Sequence, residues 1–406
     1  MKAIRSRSDL LKLLCEAAEL EHGIACSYLY AGFSLKRDLS EGGMTWQEQQ
    51  MVRRWAAQIY FIASQEMLHL ALVWNLTTAI GGTPYYLRPN FPQDSKYYPL
   101  NARLALEPFG MECLRRFIVY ERPSALNAEH ELRMLLAVPG EDAADIEFGS
   151  IGELYALIES GFKSIPHEEL FIGSPAQQMT RDLVHFPDLI AVTDRDTALR
   201  AVHTITHQGE GTSRDREDSH FGAFVSILKE FLDSKSHGAN FAPARPALVN
   251  PYSGLGRGYG ASANPIEQPL TQQAAGLFDS AYGLMLRMLA WSFEVENTGI
   301  EAIVSKFCKV AIDFMPRVLL PLGEGLMLMP AGERYRGRTA GPGFGLTRHV
   351  MLPAAADNAR ILCQERLQEL SQIAVSLLKQ SLPDPAKAAC VHIQQLANQF
   401  RAEKMS

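Results

Sequence analysis

Two long segments near the amino terminus constrain the fold of this chain more than any other feature. Over residues 8–36 and again over 45–80, apolar residues recur at spacings of three and four, which is the period of an α-helix with one buried face. The second segment ends at Gly81-Gly82, a common helix stop. Few stretches alternate as a β-strand does, so the sequence predicts an all-α protein. Shorter helices are predicted over 109–121, 150–162, 194–208 and 220–231.

Each long helix carries one glutamate on its apolar stripe, where a core residue would be expected. Glu21 follows Leu14 on the first stripe, and Glu66 follows Ile62 on the second, with His69 three positions further on. A buried carboxylate without a partner is energetically very costly, so each of these glutamates indicates a nearby cation. Residues three positions apart share a helical face, and Glu66 and His69 can therefore bind one metal ion together.

The rest of the pattern follows a known rule for helical bundles that hold two metal ions. Such a bundle uses a glutamate from each of two helices and a Glu-x-x-His pair from each of the other two. A lone glutamate, Glu153, lies near the start of a predicted helix, and Glu217 precedes His220 by three positions. Ser150 and Glu153 also form a capping box, and this structural role would explain Glu153 without a metal ion. Glu121 is therefore an alternative to Glu153 as the ligand from the third helix.

Glycine and proline divide the chain into three predicted regions. Residues 1–235 form the metal-binding helical bundle, 236–269 form a Pro/Gly-rich linker, and 270–406 form an additional helical region. Within this last region, helical pattern spans 270–329 and then 354–382.

Composition excludes several classes of function. The 406 residues carry a formal net charge of −6 without a block of like charge, which argues against nucleic acid as a partner. No apolar run approaches the roughly 18–20 residues needed to cross a membrane. The six cysteines contain no C-x-x-C arrangement, and they are predicted to be buried thiols of a cytoplasmic protein. The sequence leaves a homo-oligomer open.

Several motifs resemble those of one protein family, and together they cover most of residues 1–231. They are Leu20-Glu21-His22, Glu66-Met67-Leu68-His69, Phe117-Ile118-Val119-Tyr120-Glu121-Arg122-Pro123, Ile151-Gly152-Glu153-Leu154-Tyr155, and Gln208-Gly209-Glu210-Gly211 followed by Ser219-His220-Phe221. These motifs resemble the ferritin-like family named for iminophenyl-pyruvate dimer synthase. Its domain opens the bisindole-coupling enzymes of the violacein and rebeccamycin pathways. Ala340-Gly341-Pro342-Gly343-Phe344 resembles a motif from the C-terminal half of longer members.

The resemblance implies a ferritin-like four-helix bundle, here with an additional C-terminal helical region. It implies metal ligands at Glu21, Glu66, His69, Glu153, Glu210 and His220. It favours Glu210 over Glu217, because the Gln-Gly-Glu-Gly element is the stronger match. A continuous helix would place Glu210 about 15 Å from His220, so this assignment requires a break in the helix. The chain also departs from the family, since Gln65 stands where a second glutamate is common, and it is much shorter than the bisindole enzymes.

The predicted function is an oxygen-dependent oxidoreductase with two metal ions. A carboxylate-rich site with few histidines suits iron or manganese better than zinc, so iron is the predicted metal and dioxygen the co-substrate. Glu66, His69 and Glu210 are the predicted catalytic residues, and Tyr28, Tyr120 and Tyr155 are candidates for the wall of the site. The substrate is expected to be a small amino-acid-derived or aromatic metabolite of specialised metabolism. The alternatives are an iron-binding or ferroxidase protein without an organic substrate, and a coupling enzyme that uses haem or no metal.

Overall fold

A computed structural model describes residues 4–93, 104–123, 151–209, 218–237, 240–254, 259, 262–295, 299–348 and 350–402. The prediction of an all-α protein is confirmed, because these residues are mostly helical. The helices are α1 Arg7–Ser34, α2 Trp46–Ala79, α3 Met111–Tyr120, α4 Ile151–Ser164, α5 His167–Leu170, α6 Arg181–Val184, α7 Arg195–Gly209, α8 His220–His237, α9 Pro269–Glu294, α10 Glu301–Phe314, α11 Leu320–Leu326, α12 Ala356–Leu378 and α13 Asp384–Ala402.

The remaining regular structure is short. Single 3₁₀ turns occur at Leu39–Glu41, Pro175–Gln177 and Glu333–Tyr335, and a π-helical stretch, Met315–Leu319, joins α10 to α11. Two strands of two residues each, β1 Pro251–Tyr252 and β2 Asn264–Pro265, pair in parallel with Pro251 opposite Asn264 and Tyr252 opposite Pro265.

Helices α1 and α2 form a long hairpin that is the base of the bundle. Ser6 caps α1, since its hydroxyl accepts a hydrogen bond from the backbone N–H of Asp9. Thr45 and Glu48 form a reciprocal capping box at the start of α2. At the other end of α2, Gly81 has a φ of +79°, a conformation that favours glycine. Local sequence signals therefore set both ends of the hairpin.

Two pairs of shorter helices complete the bundle. Helix α3 packs against α8, and α4 packs against α7, while both pairs also contact α1 and α2. The side of the bundle opposite the hairpin is therefore built from separate helices, and the ends of three of these helices meet halfway along it. Glu121 directly follows α3, His220 is the first residue of α8, and Gly209 is the last residue of α7.

The C-terminal helices pack directly onto the bundle. Helix α11 contacts α1 so closely that a Cβ atom added at Gly323 would lie 2.6 Å from the ring of Phe33. Helix α9 contacts α2, and the buried apolar residues of both regions form one continuous core. Helix α13, which begins beyond the predicted last helix, packs on α11 and α12.

The segment between the bundle and the C-terminal helices also packs against the bundle. Ala244 pairs with Leu35 through a backbone bridge, and Arg245 donates to Glu41 at 2.6 Å. Ala247 and Leu248 are buried. In the part of the chain that the structure describes, no helix combines the length and the apolar composition required to cross a bilayer.

Candidate metal centre

Five buried side chains from separate elements meet at the middle of the bundle. Glu21 comes from α1, Glu66 and His69 come from α2, Glu121 follows the end of α3, and His220 begins α8. Each of the five is at most 7% exposed. Three carboxylates and two imidazoles thus lie together in a place that the surrounding helices shield from water.

The five side chains form two overlapping sets of three. In the first set, His69 Nδ1 lies 3.5 Å from Glu21 Oε2 and 3.2 Å from Glu66 Oε2. In the second, His220 Nδ1 lies 2.8 Å from Glu66 Oε1 and 3.5 Å from Glu121 Oε1. Within each set, the potential ligand atoms all lie within 4.8 Å of one another. Glu66 belongs to both sets and directs one carboxylate oxygen to each.

Buried tyrosines hold the two outer carboxylates. The hydroxyl of Tyr155 donates a hydrogen bond to Glu21, and the hydroxyl of Tyr28 donates one to Glu121. Both tyrosines are at most 2% exposed. Because each phenol binds a carboxylate oxygen, it fixes the orientation of that carboxylate without adding charge to the cluster.

Glutamine side chains contact the far side of each imidazole ring. His69 Nε2 lies 2.9 Å from Oε1 of Gln208, the residue before the last of α7. His220 Nε2 lies 3.1 Å from Oε1 of Gln65, which directly precedes Glu66 on α2. The two halves of the cluster therefore have the same composition: a shared glutamate, an outer glutamate held by tyrosine, and a histidine held by glutamine.

The cluster retains protons when no metal is bound. Burial and the charge of Glu66 raise the pKa of Glu21 to about 8. Burial would lower the pKa of His220, but the charges of Glu121 and Glu66 outweigh it and raise that pKa to about 9. The pKa of His69 is likewise raised, because Glu66 and Glu21 outweigh burial. Burial acts to raise the pKa of Glu66, yet the two histidines hold it well below its usual value.

The arrangement of the donors fits two cations. Glu66 Oε1 and His220 Nδ1 are 2.8 Å apart and fully buried, yet neither atom has a hydrogen-bond partner with acceptable geometry. Buried polar atoms without well-formed hydrogen bonds are rare, and two of them facing one another can both bind a cation. Hard carboxylate oxygens with one imidazole per set can hold iron or manganese. The described residues can therefore hold metal ions.

The structure brings together most, but not all, of the residues expected to bind metal. Glu21, Glu66, His69 and His220 lie in the cluster as expected. Glu153 lies outside it, exposed in the first turn of α4, and Glu121 takes the third carboxylate position. The reason is helical phase, since Gly152 and Tyr155 line the cluster and Glu153 projects to another face of α4.

Two further predicted ligands lie outside the described residues, and two contacts of the histidines were not predicted from the sequence. Glu210 and Glu217 lie outside the described residues, between α7 and α8. The contacts of Gln65 and Gln208 with the histidines were not expected. Gln65 stood out in the sequence only as a departure from the family pattern, and Gln208 only as a neighbour of Glu210.

A small cavity of about 20 Å³ lies beside the cluster. Its walls include Glu21, Glu66, His69, Glu121, Tyr155 and Gly209. This volume accommodates a molecule about the size of water.

Comparison with known proteins agrees with this architecture. A model of the Ferritin-like family matches residues 14–229. The chain belongs to the ferritin-like family. The predicted ferritin-like bundle is therefore confirmed, and all five residues of the cluster lie within the matched range.

Two curated relatives extend the similarity beyond the bundle. Dichlorochromopyrrolate synthase of Lentzea aerocolonigenes is 30% identical over 91% of this chain. The 2-imino-3-(indol-3-yl)propanoate dimerase of Chromobacterium violaceum is 30% identical over 84% of this chain. The predicted resemblance to bisindole-coupling enzymes is thereby confirmed. The chain spans only 39% and 34% of the lengths of these two relatives.

A solved structure of a ferritin-like protein from Caulobacter vibrioides also matches. The match has 19% sequence identity and a TM-score of 0.46, and it covers 77% of this chain and 96% of that chain.

Proposed function

We propose that this chain is a dinuclear iron enzyme that uses dioxygen to oxidise a small aromatic metabolite derived from an amino acid. The observation that carries the proposal is the position of Glu66, whose two carboxylate oxygens face two separate sets of ligands. A carboxylate shared in this way suits two ions side by side better than a single ion.

Each ion would have its own residues and one in common. Glu21 and His69 would hold the first, Glu121 and His220 the second, and Glu66 would bridge them. Oxygen-rich donor sets of this kind favour iron or manganese, whereas structural zinc sites prefer nitrogen and sulfur. Two iron ions bound here would supply electrons for the reduction of dioxygen.

The surrounding residues would prepare the site for this chemistry. Tyr155 and Tyr28 hold the outer carboxylates in place, so these ligands need not reorganise when metal binds. Burial of the cluster excludes bulk water, which strengthens each electrostatic contact within it. The cavity beside Glu21 and Glu121 offers room for a small molecule such as dioxygen.

The class of substrate is proposed from the relatives. One relative is named as a synthase of dichlorochromopyrrolate and the other as a dimerase of 2-imino-3-(indol-3-yl)propanoate. The chain matches them over most of its own length, which includes the C-terminal helices as well as the bundle. An aromatic imino acid is therefore the first substrate to test. Oxidative dimerisation of this substrate is the first reaction to examine.

The size of the cavity supports one alternative. At about 20 Å³ it has no room for an aromatic ring, so the cluster as described would suit a protein that only binds or oxidises iron. The extra helices from α9 to α13 favour the enzyme, because a ferroxidase needs only the bundle. The enzyme would consume oxygen while it oxidises an organic substrate, whereas the ferroxidase would consume oxygen while it oxidises Fe(II).

Oxygen uptake with and without an organic substrate separates the two functions. The iron-loaded chain would be supplied with 2-imino-3-(indol-3-yl)propanoate, formed in place by an amino-acid oxidase that is then removed. We expect uptake of dioxygen together with an oxidised indole product, and neither with Glu66→Gln. Repeated oxidation of added Fe(II) without any change in the indole compound would instead support the ferroxidase. An absorption spectrum and metal analysis of the same sample would reveal a haem enzyme.

A further inference from the structure

Each histidine of the metal centre presents one ring nitrogen to the carboxylates and the other to a glutamine. The contacts are His69 Nε2 to Gln208 Oε1 at 2.9 Å and His220 Nε2 to Gln65 Oε1 at 3.1 Å. An amide oxygen only accepts hydrogen bonds, so the histidine N–H must be the donor in each pair. The Nδ1 atom of each ring is then the nitrogen that remains for a metal ion.

The orientation of one amide follows independently from a third residue. Gln208 Nε2 donates to Asp188 Oδ2 at 3.3 Å. A carboxylate only accepts, so the amide nitrogen of Gln208 must face Asp188 and its oxygen must face His69. Asp188 is exposed at the surface, while His69 is 2% exposed. Two successive contacts thus connect the buried His69 through Gln208 to Asp188, outside the cluster.

We infer that Gln208 and Gln65 are positioning residues, which hold the two histidines in the tautomer and orientation that bind metal. The inference rests on the proposed dinuclear function and adds two residues that are not expected to touch either ion. Histidines that ligate metals usually donate their second N–H to an oxygen acceptor, and loss of that acceptor typically lowers metal affinity about 10- to 100-fold.

Each glutamine contacts the histidine of a different ligand set, and hence of a different ion. Gln208 contacts His69, which lies in the set with Glu21, whereas Gln65 contacts His220, which lies in the set with Glu121. Gln65 and His69 are one turn apart on α2, yet Gln65 contacts the histidine of the second set, whereas His69 belongs to the first set. Removal of one acceptor should therefore weaken one ion and leave the other nearly unchanged.

Titration of the metal-free full chain with cobalt(II) alone tests this assignment. Equilibrium dialysis gives the stepwise affinities of the two ions, and anomalous diffraction at the cobalt edge shows which position loses its ion. The variants are Gln208→Met and Gln65→Met, which keep the length of the side chain but remove the amide oxygen. Gln208→Glu and Gln65→Glu restore an oxygen acceptor. Gln49→Met is the matched control, since Gln49 lies on α2 but donates to the backbone oxygen of Arg37 at 2.8 Å.

The expected pattern is one weakened ion for each methionine variant and two weakened ions when Gln208→Met and Gln65→Met are combined in one chain. The weakened ion should lose about 10- to 100-fold in affinity. Gln49→Met should bind two cobalt ions as tightly as the wild-type chain, and each glutamate variant should bind them more tightly than the methionine variant at the same position. Unchanged affinities in the methionine variants would overturn the inference. Equal losses in the methionine and glutamate variants would also overturn it, because packing rather than the acceptor would then matter.

The outcome is separable from that of the proposed function. A wild-type chain that binds no cobalt and no iron would refute the dinuclear centre itself. A wild-type chain that binds two ions, together with glutamine variants that do the same with equal affinity, would refute only the roles of Gln208 and Gln65. Circular dichroism of each metal-free variant would verify that its helices are intact before titration.

Discussion

Glu66 is the residue on which the whole cluster depends, because among the residues that the structure describes it alone belongs to both sets of ligands. Wild-type chain loaded with iron should contain two ions. Glu66→Gln keeps the shape of the side chain but removes the shared charge, so it should retain fewer than about half an ion. Glu21→Gln and Glu121→Gln should each retain one ion. Metal analysis after dialysis measures all four proteins.

Glu153→Gln is the control for this series. Glu153 is exposed on α4, outside the cluster, so its variant should keep both ions. Loss of an ion from Glu153→Gln together with retention of both in Glu121→Gln would restore Glu153 as the ligand and contradict the geometry described above.

Metal binding should release protons, and its affinity should rise with pH. Glu21, with a pKa of about 8, and His220, with a pKa of about 9, both hold protons at pH 7 in the metal-free chain, as does His69. A cation replaces these three protons, so roughly three should be released for two ions at pH 7. Because the pKa values are raised, the release should diminish as pH increases through 8 to 9. A pH electrode in weakly buffered solution measures it. Release of fewer than about one proton would contradict the assigned charges.

At the scale of single residues, the sequence indicated the ligands within regular helices directly, whereas at helix ends it relied on the order of residues and left Glu121 and Glu153 as alternatives. Glu21, Glu66 and His69 were found because a charged side chain on an apolar stripe breaks a clear period. Glu121 directly follows the last residue of α3, where no period remains to be broken. Glu153 was predicted from its order in the chain, but its phase on α4 turns it away from the cluster.

At the scale of helices, α7 closely approaches the end of α3 and thereby constrains the half of the cluster that contains Glu121. A Cβ atom added at Gly209 would lie 3.1 Å from Glu121 Oε2, while the other oxygen of that carboxylate, Oε1, is held by Tyr28. Gly209→Ala should therefore displace the Glu121 carboxylate and weaken one ion about tenfold, while the ion held by Glu21 remains. Metal titration measures this loss.

Gly283→Ala provides the matched control for Gly209→Ala. Gly283 lies within α9, where the nearest atom to an added Cβ is Arg287 Nη2 at 3.7 Å. Alanine is favoured over glycine inside a helix, so this variant should be slightly more stable and bind both ions normally. Equal metal affinity of the two alanine variants would show that the approach of α7 does not constrain Glu121.

The accuracy with which helices could be predicted depended on the length of their apolar pattern. Helices α1 and α2 begin and end within two residues of their predicted bounds, because each has a long stripe and clear end signals. Helix α13 was missed, since Pro383 and Pro385 resemble the end of a helical region. In the structure Pro385 lies in the first turn of α13, where its missing N–H needs no partner.

At the scale of the whole molecule, the bundle and the C-terminal helices share one core and should unfold together. Gly323→Ala tests this directly. Its added methyl group would lie 2.6 Å from the ring of Phe33, which is 1% exposed and has little room to move. Overpacking of this kind typically costs about 1–3 kcal/mol. Calorimetry should show one transition at a lower temperature than wild type.

The contact between the two regions would be refuted by a different calorimetric result. If calorimetry showed two separate transitions and Gly323→Ala shifted only one of them, α11 and α1 would not stabilise one another. The sequence could not predict this contact, because Gly323 and Phe33 lie far apart in the chain and no periodic pattern connects them.

Anomalous diffraction from crystals of the iron-loaded chain tests the dinuclear centre most directly. Two peaks at the iron edge are expected, about 3.5–4 Å apart, as in other two-metal sites. One peak should lie beside Glu21 and His69, the other beside Glu121 and His220, with the carboxylate of Glu66 between them. A single peak at Glu66, or no peak there after loading with iron or manganese, would contradict the assignment of this cluster as a two-metal centre.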